Sequence, residues 1–268
     1  MKIFNIFKKK QDNFNTKYKK EILDNDYEVN FEDINLEIYI KKIVENNIDK
    51  IFLSDIYNIS KLDFRSWPLI SIKGIQHLVN LQILNLYGSK MNNISYLGEL
   101  NNLEELNISW ADNISEINTL KKLKKLKSLK AFYSSGIKDF SPIESIITLE
   151  KLDISQNTLS RGDFLKSLIN LNDLSISKNN LTDINFLENC LKLEILDISG
   201  NNITNIEILS KFKNLVKLDI SANNIKNIDS LLTLPNLKYL DLRGNDIIDN
   251  KAILKLKENR CKLVNWRK

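Results

Sequence analysis

The stretch LEILDISGNNITNIEILSKFKN, residues 193–214, decides the fold, because its apolar residues keep two different periods in turn. In LDIS the alternation sends Leu196 and Ile198 to one face and Asp197 and Ser199 to the other, as in a short strand. Ile206, Leu209 and Phe212 then recur every third residue, the spacing of a tight 3-10 turn. Asn201 stands where the strand breaks into the turn. The unit repeats. Its leading anchor recurs at Ile59, Leu81, Leu103, Leu126, Leu149, Leu171, Leu193, Leu215 and Leu237, at intervals of 22 or 23 residues. From Leu149 onward the asparagine recurs too, at Asn157, Asn179, Asn201, Asn223 and Asn245. No single unit can bury its own apolar edge, so the units must stack.

The LxxLxLxxN pattern resembles the leucine-rich repeat family, in the 22-residue class of bacterial internalin-like proteins and the regulatory subunit of protein phosphatase 1. The resemblance runs from about Ile48 to Asp249 and implies an α/β solenoid. A parallel β-sheet would form the concave face, with short 3-10 or turn segments on the convex side. The asparagines would turn inward and bond the backbone. Both open ends of such a solenoid need caps. The reading divides the chain into a flexible basic tail at 1–20, an N-terminal cap at 21–58, nine repeats at 59–249 and a C-terminal cap at 250–268. Within the first cap it expects a helix over Phe31–Asn47, with a strand at Leu36, Ile38 and Ile40 as the alternative, and a first strand at Ile51–Leu53. In the second, KAILKLKENR forms a helix and CKLVNW closes the last edge.

Composition narrows the function. With 43% hydrophobic and 27% charged residues the chain has the make-up of a folded domain, and no apolar run is long enough to span a bilayer as a helix. Two cysteines, Cys190 and Cys261, and one histidine, His77, make neither a disulfide framework nor a Cys/His metal site. The expectation is a cytoplasmic protein with no cofactor. The net charge is +5, and residues 1–20 hold seven lysines against Asp12 alone, so the surplus lies in the tail rather than in a stripe across the body. Nucleic acid is set aside, and the tail, with Ile3, Phe4, Ile6 and Phe7, is given a weak contact with an anionic membrane surface.

No P-loop, GxGxxG, HExxH or CxxC motif occurs, so the chain reads as non-enzymatic, with His77 an exposed structural residue. The column Asp153, Asp197, Asp219 and Asp241, broken by Ser175, reads as a solvated ladder whose repulsion Lys151 and Lys217 offset. The departures from the repeat mark the site. Outward positions of the early repeats hold Tyr87, Trp110, Phe132 and Tyr133, beside Glu105 and Lys130, where later repeats hold serine, glycine or alanine. The ladder is broken in the same region by Trp67, Ser89, Ala111 and Ser134, and the two 23-residue repeats lie there. Aromatic side chains dominate binding hot spots. The reading is a concave protein-binding patch of Tyr87, Glu105, Trp110, Lys130, Phe132 and Tyr133, with Tyr239 and Arg243 secondary. Its rival has the rings fold over the rim to fill gaps left by Ala111 and Ala131. The lysines of LKKLKKLKSLK, residues 120–130, are taken as a solvated face. The function expected is a protein-protein interaction module. Alternatives are an immunity or inhibitor protein against a cognate toxin, an internalin-like adhesion protein or a membrane-surface scaffold.

Overall fold

A computed structural model of the chain describes residues 24–44, 49–65, 67–248, 250–259 and 261–263. Nine strands, one per repeat, lie in parallel: β1 (Lys61–Asp63), β2 (Ile83–Asn85), β3 (Glu105–Asn107), β4 (Ser128–Lys130), β5 (Lys151–Asp153), β6 (Asp173–Ser175), β7 (Ile195–Asp197), β8 (Lys217–Asp219) and β9 (Tyr239–Asp241). A tenth, β10 (Lys262–Leu263), joins the edge from the C-terminal cap, and sheet order follows chain order throughout. The register aligns the central leucines, Leu62 with Leu84 with Leu106 and so on to Leu240 with Leu263. All of these leucines except the partly buried Leu263 are sequestered, as are the convex-side residues Ile206, Leu209 and Phe212. Eight 3-10 segments, from Ile75–His77 to Asp229–Thr233, carry the convex side. The two periods of the repeat thus become the two walls of one continuous core.

The asparagine ladder closes the corner between them. The Asn201 amide donates to the carbonyls of Ile176, Ile198 and Ser199 at 3.0, 3.0 and 3.3 Å, and its Oδ1 accepts from Leu181 N–H at 3.0 Å. Asn179 and Asn223 repeat this pattern, Asn157 makes the three donations while its Oδ1 accepts Ser134 N–H at 3.0 Å, and Asn245 makes two of the three donations. One side chain therefore bonds backbone groups of two repeats, and successive asparagines share the carbonyls at the corner. A second ladder runs along the opposite corner. Asn80, Asn102, Asn170, Asn214 and Asn236 each precede an anchor leucine and donate to a carbonyl of the previous unit, at 2.8 to 3.1 Å.

The N-terminal cap departs from expectation. Its helix, α1 (Ile34–Ile43), is shorter than Phe31–Asn47 because Asp33 starts it, its Oδ1 accepting Asn35 N–H at 2.8 Å. Residues 45–48 lie outside those described, as does the 1–20 tail. The expected strand at Ile51–Leu53 is absent. Phe52 makes one antiparallel bridge to Glu28, and Leu53–Ile56 forms a helical turn, α2. Two carboxylates turn the chain there: Asp55 accepts Phe52 N–H at 2.8 Å and Asp26 accepts Ser54 N–H at 3.0 Å. At the other end α3 (Asn250–Glu258) buries Ala252, Ile253 and Leu256, and Cys261 is buried after it, leading into β10. Of CKLVNW, only Cys261, Lys262 and Leu263 are among the described residues.

Candidate functional site

The loop that leaves each of β2 to β9 passes through one left-handed residue before the ladder position. In chain order these are Gly88, Trp110, Tyr133, Gln156, Lys178, Gly200, Ala222 and Gly244, with φ between 50° and 73°. A bulky side chain is rarely found in this conformation, which glycine adopts without strain. Trp110 (φ 58°) and Tyr133 (φ 50°) are the two aromatic members of the column. Their rings stack with centroids 4.2 Å apart and planes 24° from parallel, and each remains more than 40% exposed.

Tyr87 and Phe132 occupy a neighbouring column, with Ser109 between them in sequence order of the repeats. Ser109 is fully buried, and the flanking rings approach to 6.0 Å. Tyr87 also lies 6.4 Å from Trp110, so four rings from three successive repeats form one connected cluster. The rings follow the strand ends at Asn85, Asn107 and Lys130, which puts them on the rim where the chain leaves the sheet. The 23-residue repeats shape this rim. Ser135 of the second inserted loop donates through its N–H and hydroxyl to Asp112 of the first, at 3.1 and 2.9 Å. A Cβ on Gly136 would meet the Asp112 carbonyl at 2.1 Å, so the two loops lie in direct contact.

Glu105 opens β3 and Lys130 closes β4, both exposed, and they line a shallow depression of the sheet with Lys61, Asp63 and Arg65. The last three residues were not singled out by sequence; the signal was present in LDFR, which matches LDLR at the far end. In both copies arginine chelates the aspartate two residues earlier. Arg65 donates to Asp63 at 2.8 to 3.0 Å, holding that carboxyl below the ordinary range against the opposing effect of burial. Arg243 grips the buried Asp241 in the same way. Burial pushes the Asp241 carboxyl up, but the guanidinium and backbone donors of Arg243 outweigh it. Arg243 is therefore committed to Asp241, while Tyr239 beside it stays exposed on β9.

The aspartate column is held by serine rather than by Lys151 and Lys217. Asp153, Asp197 and Asp219 each accept from the N–H and hydroxyl of the serine two residues on, the hydroxyls at 2.6 to 2.7 Å. Burial, and then Asp197 and Asp241 nearby, raise the Asp219 carboxyl despite those bonds. In residues 120–130, Lys122 and Lys127 pair with Glu99 and Glu104 of the preceding repeat and Lys125 donates to Asn102 Oδ1, as suits a solvated face.

His77 is not the exposed residue expected. It is half-buried, with Nδ1 at 2.8 Å from Tyr27 Oη and the two rings edge to face, and burial lowers its pKa. Cys190 and Cys261 are buried free thiols, both pushed up to about 11 by burial. Among the described residues no group of His, Cys, Asp and Glu has the arrangement of a metal site, and no helix is long and apolar enough to cross a membrane.

The leucine rich repeat profile matches residues 191–247. The solenoid has the leucine-rich-repeat fold. Its repeats superpose on internalin C2 of Listeria monocytogenes with a TM-score of 0.72 and 26% identity, covering 82% of this chain and 93% of that one. A leucine-rich-repeat protein of Leptospira interrogans matches at a TM-score of 0.57 and 19% identity, over 78% and 67% of the two chains. The functional domain of InlJ from Listeria monocytogenes matches at 0.56 and 22%, over 87% and 59%. That domain is described as including a cysteine ladder; here the ladder is asparagine. No curated protein sequence matches the chain. Leucine-rich repeats build extended surfaces for protein-protein interaction, and catalysis is not their usual role.

Proposed function

We propose that this leucine-rich-repeat solenoid binds a folded protein partner through the rim and adjoining concave surface of its second to fourth repeats. The connected ring cluster of Tyr87, Trp110, Phe132 and Tyr133 carries the reading. Two of its members keep large rings in solvent from backbone positions that glycine fills elsewhere in the same column. Strain of this kind costs about 1–3 kcal/mol per residue and is retained where a side chain does something a smaller one cannot. The rigid sheet loses little backbone entropy on binding, so the rings supply contact area at low ordering cost. Glu105 and Lys130, in the depression of the sheet, provide polar contacts of both signs. We place the encounter in the cytoplasm, consistent with two unpaired, buried thiols.

The test is affinity capture with cross-linking mass spectrometry, comparing the native chain with a Trp110→Ala, Phe132→Ala variant. Cross-links from Lys130 or Lys151 to one protein, lost in a variant whose melting temperature is retained, are the expected result. Undiminished capture by a folded variant would overturn the assignment of the surface.

A further inference from the structure

The outer face of the N-terminal cap carries an apolar patch. On α1, Leu36 and Ile40 point into the core while Ile34 and Ile38, one turn apart on the other side, are 62% and 49% exposed. Ile70 is 69% exposed, and the buried Asp33 carboxylate ties it to the start of α1. Asp33 Oδ1 caps the helix while Oδ2 accepts Ile70 N–H at 2.7 Å, so the three isoleucines belong to one surface. The cap segment that carries it is acidic in sequence, with Glu28, Glu32 and Glu37 paired to Lys50, Lys73 and Lys41. Residues 24–58 contain nine acidic residues against three lysines, a net charge of −6. The repeats and C-terminal cap, residues 59–268, are of opposite sign, with 29 basic residues against 23 acidic. The cap is thus an acidic island at one end of a basic solenoid.

Directly before it in the chain lies a segment of matching chemistry. Residues 1–20 hold seven lysines against one aspartate, net +6, with Ile3, Phe4, Ile6 and Phe7 ahead of Lys8, Lys9 and Lys10. The basic solenoid repels such a segment and the acidic cap attracts it. Reach is ample. The 17 peptide units from Phe7 to Asp24 can span up to about 55–60 Å, whereas a ten-residue helix is about 15 Å long.

We propose that residues 1–20 dock on the cap as an intramolecular strap, with Ile3, Phe4, Ile6 and Phe7 on Ile34, Ile38 and Ile70 and the lysines beside the acidic residues. The strap shields the N-terminal end of the solenoid and takes the basic segment out of circulation for other anionic surfaces. It is independent of the aromatic rim, which belongs to the second to fourth repeats.

Disulfide trapping in the full chain tests this. Cysteines at Phe7→Cys and Ile38→Cys are compared under copper–phenanthroline oxidation with a control pair, Phe7→Cys and Asn58→Cys, the latter exposed on the cap outside the patch. Cys190 and Cys261 are buried and stay out of the reaction. The expected result is a disulfide within one chain that forms about ten-fold faster than the control, and more slowly at high salt. Equal rates for the two pairs overturn the proposal. So does a disulfide that links two chains, which would make a second copy the occupant. Co-sedimentation with phosphatidylserine vesicles through residues 1–20, with no rate advantage at Ile38→Cys, would also overturn it and assign the segment to a membrane surface.

Discussion

At the residue scale, Trp110 separates two uses of a ring. If it filled a gap left by Ala111, removing it would open a cavity in the core, a loss of about 3–5 kcal/mol for a large aromatic. Its 45% exposure and its stack on the equally open Tyr133 place most of the ring outside the core, above an Ala111 that is fully buried. Glycine occupies the same column at Gly88, Gly200 and Gly244. For Trp110→Gly the lost stack, about 0.5–1.5 kcal/mol, is therefore opposed by the strain relieved at φ 58°. Urea unfolding should show a net change within about 1 kcal/mol, together with loss of partner capture. A loss of several kcal/mol with capture retained would make the ring a packing element and remove it from the binding surface.

At the scale of the repeat, the two asparagine ladders should differ sharply in worth. Removing Asn201 with Ala strands the Leu181 N–H in a buried corner, at about 1–3 kcal/mol where water cannot enter, and takes one of two donors from each of the carbonyls of Ile176, Ile198 and Ser199. The replacement should cost about 2–3 kcal/mol in urea unfolding. Asn214→Ala removes a single exposed bond to Leu191 O at 3.1 Å and should cost under about 1 kcal/mol. Similar losses at the two sites would mean that the first corner admits water. The first ladder was legible because Asn201 interrupts an otherwise apolar pattern at fixed spacing. The second was not, because its asparagines lie among the polar residues expected of any exposed turn, and only the donation back to the preceding unit distinguishes them. The broken stretch was legible as a break but not as a repair. Ser134 Oγ donates to Ile108 O at 3.1 Å, supplying the bond back to the preceding repeat that an asparagine makes elsewhere, and Ser89 bonds Leu86 O within its own unit. The aromatic types were visible in the sequence, whereas their joining across Ser109 depends on how far each ring leans, which spacing does not encode.

At the scale of the whole molecule, a solenoid is a row of units each held by its neighbours, so its ends decide how it comes apart. The C-terminal cap was readable because its helix and edge strand continue the apolar pattern. The N-terminal cap was misread at Ile51–Leu53, since a short apolar run does not show that Asp26 and Asp55 will bend it into a helical turn. Nor did the sequence indicate that Tyr27 reaches His77, fifty residues away, at 2.8 Å. That contact gives the cap a pH dependence. Burial depresses the His77 pKa below its ordinary value near 6.5, so the unfolded chain takes up a proton more readily than the folded one. The stabilisation is complete above the unfolded value and is lost as pH falls through the folded one. Tyr27 Oη can accept as well as donate, so the bond can survive protonation; the penalty comes from placing the charge in a half-buried site. Hydrogen exchange measured at neutral and mildly acidic pH, corrected for intrinsic rates, should show loss of protection at Val29 and Leu53, whose N–H groups join the two limbs of the cap at 2.7 and 3.0 Å. The central strands around Leu196, remote from His77, should keep theirs. His77→Gln should flatten the difference at the cap, and an acid response that persists in that variant would assign it to the cap carboxylates instead.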